Sequence, residues 1–356
     1  MDTRRTQILV IIGPTASGKT GLGIELAKRF DGEVISVDSR QIYRGMDVGT
    51  AKAAGEKAEI GTWRLGHGLP TALVVDGVPH WGIDIVDPDE EYSVADFKKY
   101  ADEKIADIAR RGKLPILVGG TGLWVRAVVD NLNLTETPPN RELREKLEAR
   151  HIDDLFAEYK RLDPDGAELI DRQNKRRVVR ALEVTLSTGK PFSKQIEKGN
   201  GKYDLLQIGL MVDRDVLNER INGRVDEMVA TGLVNEVRKL RDKYGCDNEA
   251  MTGIGYRQVC RWLESSDGRA GAEGQGPRRP EREDGGSPDR SEDDGVARSW
   301  GPARLGVVSL ADAVEEIKKA TRAYAKRQMT WFRRDDRIQW IRNPEEAIEL
   351  VTRFLT

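Results

Sequence analysis

The sequence has 356 residues and a formal net charge of −2, with 58 Lys and Arg against 60 Asp and Glu. This length suits one large or two modest domains with ample hydrophobic core. The charge balance excludes a uniformly basic nucleic-acid coat, although a local basic stripe is enough to bind RNA. No apolar run approaches the roughly 18 residues of a membrane span, and the first apolar run ends at a glycine turn rather than at a signal cleavage site. We therefore expect neither export nor a membrane span and place the protein in the cytoplasm.

Cysteine and histidine are scarce. Cys246 and Cys260 form no CxxC pattern, and the three histidines are His67, His80 and His151. Zinc sites and disulfide frameworks need clustered residues of these types, so we expect neither. His80 lies closest to a potential site and is better explained as a packed histidine than as a catalytic one.

The first apolar run, residues 8–12, is typical of a strand that is buried on both faces. The next eight residues match the phosphate-loop pattern, and apolar residues at helical spacing follow them. Lys19 of this loop can reach a terminal phosphate, and the Thr20 hydroxyl can bind a Mg²⁺ ion. The loop comprises Gly13, Pro14, Thr15, Ala16, Ser17, Gly18, Lys19 and Thr20. The pattern does not say whether the phosphates belong to ATP.

Two further buried strands, residues 33–37 and 114–118, end in residues suited to a ligand site. Asp38 follows the first of them. Three roles remain open for this residue: a catalytic base, a turn cap and a Mg²⁺ ligand. Thr121 follows the second within a glycine-rich turn, which either approaches a ligand or only leads into a helix. Strands alternating with helices predict an α/β fold with a P-loop NTPase-like parallel sheet flanked by helices.

After Thr135 the sequence becomes rich in charged residues with helical spacing of apolar ones. This pattern predicts an inserted all-helical domain at 136–203, between core segments 1–135 and 204–356. Its cluster around Arg176 and Arg180 fits either a solvated face or an RNA backbone contact. Residues 216–240 have the pattern of one long amphipathic helix. Residues 265–304 are nearly free of apolar side chains and are predicted to be disordered. Near the C-terminus, Trp331 and Phe332 lie among cations, where they suit either RNA bases or the core.

Nine blocks of the sequence, in order, resemble the tRNA dimethylallyltransferases, also called the isopentenyltransferase or IPP transferase family. The scarcity of Cys and His makes this chain similar to the bacterial type, which lacks the zinc finger of eukaryotic relatives. The stretches 53–78 and 265–304 depart from the family pattern. The matching blocks are GPTASGKT (13–20), SVDSRQIYRGMD (36–47), GTAK (49–52), IVDP (85–88), YSVADF (92–97), VGGTGL (118–123), RALEV (180–184), GY (255–256) and AKRQMTWFR (325–333).

The resemblance implies transfer of a dimethylallyl group from dimethylallyl diphosphate to the exocyclic amine of the adenosine just 3′ of the anticodon, in tRNAs reading codons that start with U. It implies Mg²⁺ as cofactor, with Thr20 as its ligand. The implied catalytic residues are Asp38, Thr121, Lys19 and Arg224. The implied diphosphate-binding residues are Gly13, Pro14, Thr15, Ala16, Ser17, Gly18, Lys19, Thr20, Arg220 and Arg224. The implied tRNA-binding residues are Asp38, Ser39, Arg40, Gln41, Thr121, Arg144, Arg176, Arg177, Val178, Val179 and Arg180.

Three alternatives compete with this assignment. A P-loop small-molecule kinase would bind ATP through Lys19 and Thr20, but this function gives the helical insert no role. An isopentenyltransferase acting on free adenine nucleotides would not need the arginine cluster of the insert. A non-catalytic RNA-binding module would not need Lys19, Thr20, Asp38 and Thr121 together. The expected partners are the tRNA anticodon stem-loop and dimethylallyl diphosphate, with the protein acting as a monomer.

Overall fold

The computed structural model describes residues 5–60, 71–134, 140–195, 198–273 and 309–356. Within these ranges the strands form one eight-stranded sheet. The strands are β1 (Gln7–Ile12), β2 (Gly32–Val37), β3 (Glu56–Glu59), β4 (Thr71–Val75), β5 (Val78–Trp81), β6 (Leu114–Gly119), β7 (Asp204–Leu210) and β8 (Ile338–Ile341). Their order across the sheet is β3-β4-β5-β2-β6-β1-β7-β8. The six strands from β5 to β8 in this order pair in parallel, and β3 and β4 add antiparallel pairs at one edge. The predicted α/β fold is confirmed.

Helices flank the sheet on both faces. They are α1 (Lys19–Arg29), α2 (Val94–Arg110), α3 (Gly122–Val129), α4 (Arg141–Glu148), α5 (Ile152–Leu162), α6 (Pro164–Leu169), α7 (Lys175–Thr188), α8 (Arg214–Ala230), α9 (Leu233–Tyr244), α10 (Tyr256–Glu273), α11 (Leu310–Phe332) and α12 (Pro344–Leu355). Short 3-10 turns lie at Phe192–Gln195 and Ala250–Thr252. Capping boxes, Ser93 with Asp96 and Ser309 with Asp312, begin helices α2 and α11.

The strand β1 is buried on both faces because successive side chains point to opposite sides of a sheet. Ile8 and Val10 join a core with helices α2, α3 and α8 to α11. Leu9 and Ile11 join a second core with α1 and α12. This two-sided burial fixes β1 in the sheet, with β6 on one side and β7 on the other.

Helices α4 to α7 form the helical insert, which has a hydrophobic core of its own. Leu155 and Tyr159 of α5 pack there against Leu182 of α7. An α-helical unit with a separate core fits the inserted domain expected from the sequence. The limits 136–203 stay a prediction, since residues 135–139 and 196–197 lie outside the described residues.

The prediction of one long helix over residues 216–240 is wrong. Helix α8 ends at Ala230, and α9 begins at Leu233. Gly232 between them has a φ of 116°, a conformation that side chains rarely allow. The Thr231 hydroxyl also donates to the Glu227 carbonyl oxygen and closes the last turn of α8. The apolar period continues across the break, which is why the sequence pattern conceals it.

The expectation that no disulfide forms is also wrong, because Cys246 and Cys260 are bonded. Cys246 follows α9 and Cys260 lies in α10, so packing of the two helices joins cysteines that share no sequence motif. Helix α10 continues to Glu273, so residues 265–273 are helical rather than disordered. The remaining residues of the predicted disordered stretch, 274–304, lie outside the described residues. None of the described helices is long and apolar enough to cross a membrane.

We predict that reducing the Cys246–Cys260 bond lowers the free energy of unfolding by about 3 kcal/mol, the chain-entropy value for a loop of about 15 residues. Urea unfolding with and without a thiol reductant measures the change. The double variant Cys246→Ser/Cys260→Ser is the control and should not respond to the reductant. An unchanged midpoint for the wild-type protein would contradict the prediction.

Candidate active site

The carboxyl ends of three neighbouring strands carry residues that were expected from the sequence to bind a ligand. The phosphate loop follows β1, Asp38 follows β2, and Thr121 follows β6. Beside them lies a cavity of about 350 Å³, called the site cavity below. Its polar lining includes Thr15, Asp38, Arg40, Arg224, Tyr324 and Arg327. Its apolar lining comes from Ile221, Val225, Met228, Ile254 and Ile317. One cavity therefore combines an anion-binding side with an apolar side.

The phosphate loop has the backbone geometry of an anion site. Ala16 and Gly18 adopt left-handed conformations, with φ of 61° and 92°. Such a sequence of conformations turns backbone N–H groups toward a common point. Helix α1 begins at Lys19, so its N-terminal amides face the same region. The Ser17 hydroxyl is buried and, within the described chain, has no hydrogen-bond partner, so a ligand could supply one.

Two cations lie close to one carboxylate at this loop. Burial lowers the pKa of Lys19 to about 8, opposed by the negative charge of Asp38 and assisted by the positive charge of Arg224. Burial also lowers the pKa of Arg224, again opposed by Asp38. The Lys19 ammonium donates to the Pro14 carbonyl oxygen at 3.0 Å. The lining of the site cavity carries four arginines (Arg40, Arg224, Arg257 and Arg327) against the one carboxylate of Asp38, which favours an anionic ligand.

Asp38 is half-buried at the end of β2. Its Oδ1 accepts the backbone N–H of Arg40 at 2.9 Å, so Asp38 does cap the following turn. Within the described chain its Oδ2 makes no hydrogen bond, and the residue lines the site cavity. One carboxylate oxygen thus fixes the side chain, and the other can accept a proton from a ligand.

Thr121 begins helix α3 and connects two loops of the site. Its hydroxyl oxygen accepts the backbone N–H of Ser39 at 3.1 Å. It also hydrogen-bonds the Tyr324 hydroxyl, and burial raises the pKa of Tyr324 to about 12. Tyr324 lies in the cavity wall near Asp38, and no local sequence motif marks it as a site residue.

Ser39 and Arg40 line the site cavity, but Gln41 does not. Gln41 accepts from the Ser36 hydroxyl and donates to the Thr50 carbonyl oxygen, so it holds the segment 49–51 that forms part of the wall. The Arg40 guanidinium bonds the Glu249 carbonyl oxygen and side chain and the Thr252 hydroxyl.

Glu236 supports the same wall and was not expected from the sequence. Its carboxylate accepts the backbone N–H groups of Asp47, Val48 and Gly49 and the Tyr256 hydroxyl. A carboxylate that receives four donors holds the segment in one position. A capping glutamate from a distant helix leaves no local pattern, so sequence reasoning had no signal for it.

The candidate phosphate arginines differ in position. Arg224 lines the site cavity, while Arg220 is exposed one helical turn earlier and does not line it. The role of Arg220 in diphosphate binding remains a prediction.

In the insert, Arg176 and Arg177 are exposed near the N-terminus of α7. Arg144 and Arg180 both bind Glu183, whose side chain is fully buried. The contact of Val178 and Val179 with tRNA stays a prediction, and their buried side chains leave only the backbone for it. Helical periodicity turns both inward, where they are 0% and 2% exposed in the core of the insert.

One carboxylate joins the core and the helical insert beside the cavity. Glu249 is 3.2 Å from Arg40 of the core and 3.4 Å from Arg176 of α7. Its side chain is 60% exposed, so water screens both pairs. Glu249 thus occupies a position between two cations where a phosphate group could bind.

The aromatic residues of the basic C-terminal stretch belong largely to the core. Phe332 is 3% exposed. Trp331 is partly buried, and its ring lies 5.8 Å from the Arg126 guanidinium. Of the two interpretations of these aromatics, packing is therefore favoured.

Comparison with known proteins places this geometry in a family. A family model described as IPP transferase matches residues 41–335, and one described as isopentenyl transferase matches residues 6–65. The chain belongs to the IPP transferase family, whose members are prenyltransferases.

Individual relatives agree over almost the whole chain. The tRNA dimethylallyltransferase of Acetivibrio thermocellus is 40% identical, covering 95% of this chain and 92% of its own length. The tRNA dimethylallyltransferase of Bacillus subtilis is 36% identical, covering 96% and 92%. The crystal structure of a full-length tRNA isopentenylpyrophosphate transferase from Bacillus halodurans has a TM-score of 0.60 at 36% identity, covering 99% of this chain and 96% of that one. A eukaryotic dimethylallyltransferase acting on tRNA has a TM-score of 0.64 at 28% identity, covering 92% and 69%.

We predict that the affinity for inorganic diphosphate falls as the pH rises through about 8, where Lys19 loses its proton. If only the ammonium form binds, the affinity should fall about tenfold between about pH 7 and pH 9. Calorimetric titration over this range measures the change.

Lys19→Arg is the control, because its guanidinium stays charged throughout the range. Titration of the ligand itself affects both proteins equally and cancels in the comparison. Parallel pH profiles for wild type and variant would show that Lys19 does not titrate in this range.

Proposed function

We propose that this protein transfers a dimethylallyl group from dimethylallyl diphosphate to the exocyclic amine of the adenosine 3′ of the anticodon, in tRNAs reading codons that start with U. The products are isopentenyladenosine in tRNA and diphosphate. The main support is the arrangement of Lys19, Arg224 and the phosphate loop around one cavity that also contains Asp38. The names of the relatives in two domains of life agree with this substrate.

The reaction needs a base and strong stabilisation of the leaving group. The adenine amine is a weak nucleophile because its lone pair is delocalised into the ring. As its nitrogen bonds the allylic carbon, the carbon–oxygen bond to diphosphate breaks and the amine proton passes to Asp38. Lys19, Arg224 and the loop amides take up the charge that develops on the diphosphate. The Thr121 hydroxyl accepts the backbone N–H of Ser39 and so holds the neighbouring residue Asp38 in position.

The two sides of the site cavity suit the two ends of the allylic substrate. Ile221 and Val225 are buried in the wall, and Met228 and Ile254 are partly buried there. This side accepts the five-carbon prenyl group, while the phosphate loop accepts the diphosphate. Because the amine of a stacked base cannot reach an enclosed carbon, the adenosine must turn out of the anticodon loop into the cavity.

Mg²⁺ fits this site with few protein ligands. Thr20 is exposed at the start of α1, and its hydroxyl makes no hydrogen bond within the described chain. The described residues contain no group of three or more Asp, Glu, His or Cys side chains able to hold a metal. Mg²⁺ commonly keeps several waters and binds substrate phosphates, so one hydroxyl ligand is sufficient. Thr20 would hold the ion, which supplies neutralisation of the diphosphate charge when bound.

The tRNA is expected to lie against the helical insert. Arg176 and Arg177 would contact its phosphates, and Glu183 would orient Arg144 and Arg180 toward the same strand. Ser39, Arg40 and Gln41 would hold the adenosine, with Gln41 acting through the wall it supports. We propose that the enzyme works as a monomer in the cytoplasm, where its tRNA substrate is found.

A radiolabel transfer assay tests the function. Purified protein, Mg²⁺ and labelled dimethylallyl diphosphate are incubated with an anticodon stem-loop that carries an adenosine at the target position, or with AMP. Label on the RNA supports the proposal, and label on AMP alone would indicate a nucleotide-modifying enzyme. A parallel incubation with ATP and small alcohols tests the kinase alternative, which the relatives do not favour.

We predict that Asp38→Asn lowers kcat about a hundredfold to ten-thousandfold, the usual range for loss of a general base. The KM for dimethylallyl diphosphate should not rise, because removal of a negative charge beside Lys19 and Arg224 favours the anion. Steady-state kinetics and tRNA binding measure both effects. Asp204→Asn, at the amino end of β7, is the control. A loss of tRNA affinity as large as the loss of rate would exclude Asp38 as the base.

We predict that the double variant Arg176→Ala/Arg177→Ala weakens tRNA binding by removing up to two phosphate contacts. Each lost contact should reduce the slope of log binding constant against log salt concentration by about 0.7 to 0.9. Filter binding at several salt concentrations measures this slope. Glu249→Gln is the matched variant with the opposite expected effect on tRNA affinity. It removes the carboxylate that pairs with Arg40 and Arg176, so tRNA affinity should rise. An unchanged slope for the arginine variant would refute the phosphate contact.

A further inference from the structure

Gln328 connects the phosphate loop to the loop after β6, although it lies far from both in sequence. Its Oε1 accepts the backbone N–H of Thr15 at 2.9 Å. Its Nε2 donates to the Gly120 carbonyl oxygen at 2.9 Å. The side chain is 6% exposed, so both bonds are shielded from water. One side-chain amide therefore fixes the separation of the two loops that flank the site.

The surrounding sequence leaves room for this contact. A Cβ atom at Gly120 would lie 2.2 Å from Gln328 Nε2, so a residue with a side chain there would collide with the amide. Tyr324 lies one helical turn before Gln328 on α11 and hydrogen-bonds Thr121. Helix α11 thus holds the turn 120–121 through two side chains at once.

The contact also removes one donor from the phosphate loop. Pro14 has no N–H, so the first backbone N–H after Gly13 in the loop belongs to Thr15. That amide is already bonded to Gln328, and a ligand could take it only by breaking a buried hydrogen bond. The Ser17 amide donates to the Pro14 carbonyl oxygen at 3.3 Å. The other amides from Ala16 onward and the Lys19 ammonium remain for the ligand.

We propose that Gln328 is a positioning residue that restricts the phosphate loop to a diphosphate and disfavours a third phosphoryl group. This inference rests on the proposed function, in which the diphosphate is the leaving group. By holding the Thr15 amide, Gln328 removes one donor that a longer polyphosphate would use. By holding Gly120, it keeps Thr121 beside Ser39 and Asp38.

Binding of inorganic diphosphate and of inorganic tripolyphosphate, each with Mg²⁺, tests the proposal by calorimetry on the full chain. Gln328→Ala frees the Thr15 amide and opens space beside it. We expect the preference for diphosphate over tripolyphosphate to fall about tenfold, the effect of one hydrogen bond on a ratio of affinities. We also expect kcat to fall more than KM rises, because Thr121 is no longer held beside Asp38.

Two matched variants separate positioning from general stability. Gln328→Glu keeps an acceptor for the Thr15 amide, and its added charge repels tripolyphosphate more strongly than diphosphate, so its preference for diphosphate should not fall below that of the wild type. Gln207→Ala removes a glutamine that is 1% exposed on β7 and does not line the site cavity, so it should leave the preference unchanged. If Gln328→Ala does not fold, a preference for diphosphate in Gln328→Glu below that of the wild type would overturn the proposal, and a preference at or above it would support it.

An unchanged preference in folded Gln328→Ala would overturn the inference, as would an equal loss of both anions. This outcome is distinct from failure of the proposed function. The binding assay needs neither tRNA nor turnover, whereas the function fails only if the wild-type protein transfers no label to RNA.

Discussion

Lys19 and Arg224 are partly buried cations that both lie near the Asp38 carboxylate, and burial lowers the pKa of both cations. An excess of desolvated positive charge is costly in the empty site and becomes favourable when a polyanion enters. In the proposed reaction, the same carboxylate that partly balances these cations accepts the amine proton. Binding of the leaving group and proton removal therefore depend on one charge arrangement, and a change to any of the three groups alters the other two.

The sheet order explains how the three groups meet. The strands β2, β6 and β1 are adjacent, so the segments that follow them share one edge of the sheet. Helices α8 and α11 then close the site from the opposite side with Arg224 and Tyr324. The helical insert reaches the same edge through Arg176 and Glu249. In the proposed function, the chemistry depends on the parallel sheet, and tRNA binding depends on the insert and the segment around Glu249.

Local sequence is sufficient to predict the residues that directly follow strands. A buried strand, a glycine-rich loop and a lysine are contiguous, so the phosphate loop, Asp38 and Thr121 could be identified from local pattern alone. Contacts that depend on packing could not be found in this way. Gln328 reaches Thr15 across the whole core, Glu236 caps a segment from another helix, and Cys260 meets Cys246 only through helix packing. The strand β8 and the helix α12 were not predicted from the sequence.

The hydrogen bond between Thr15 and Gln328 joins residues separated by 313 positions, near the two ends of the chain. A site with this construction cannot form from an N-terminal fragment, even one that contains the complete phosphate loop. Contacts of such long range also favour slow folding, because most of the chain must be ordered before they form. In return, any ligand that binds only the completed site stabilises the whole core by mass action, by about 2.7 kcal/mol when its concentration is about 100 times its Kd. Cellular levels of the prenyl donor would then govern how much of this protein is folded as well as how fast it works.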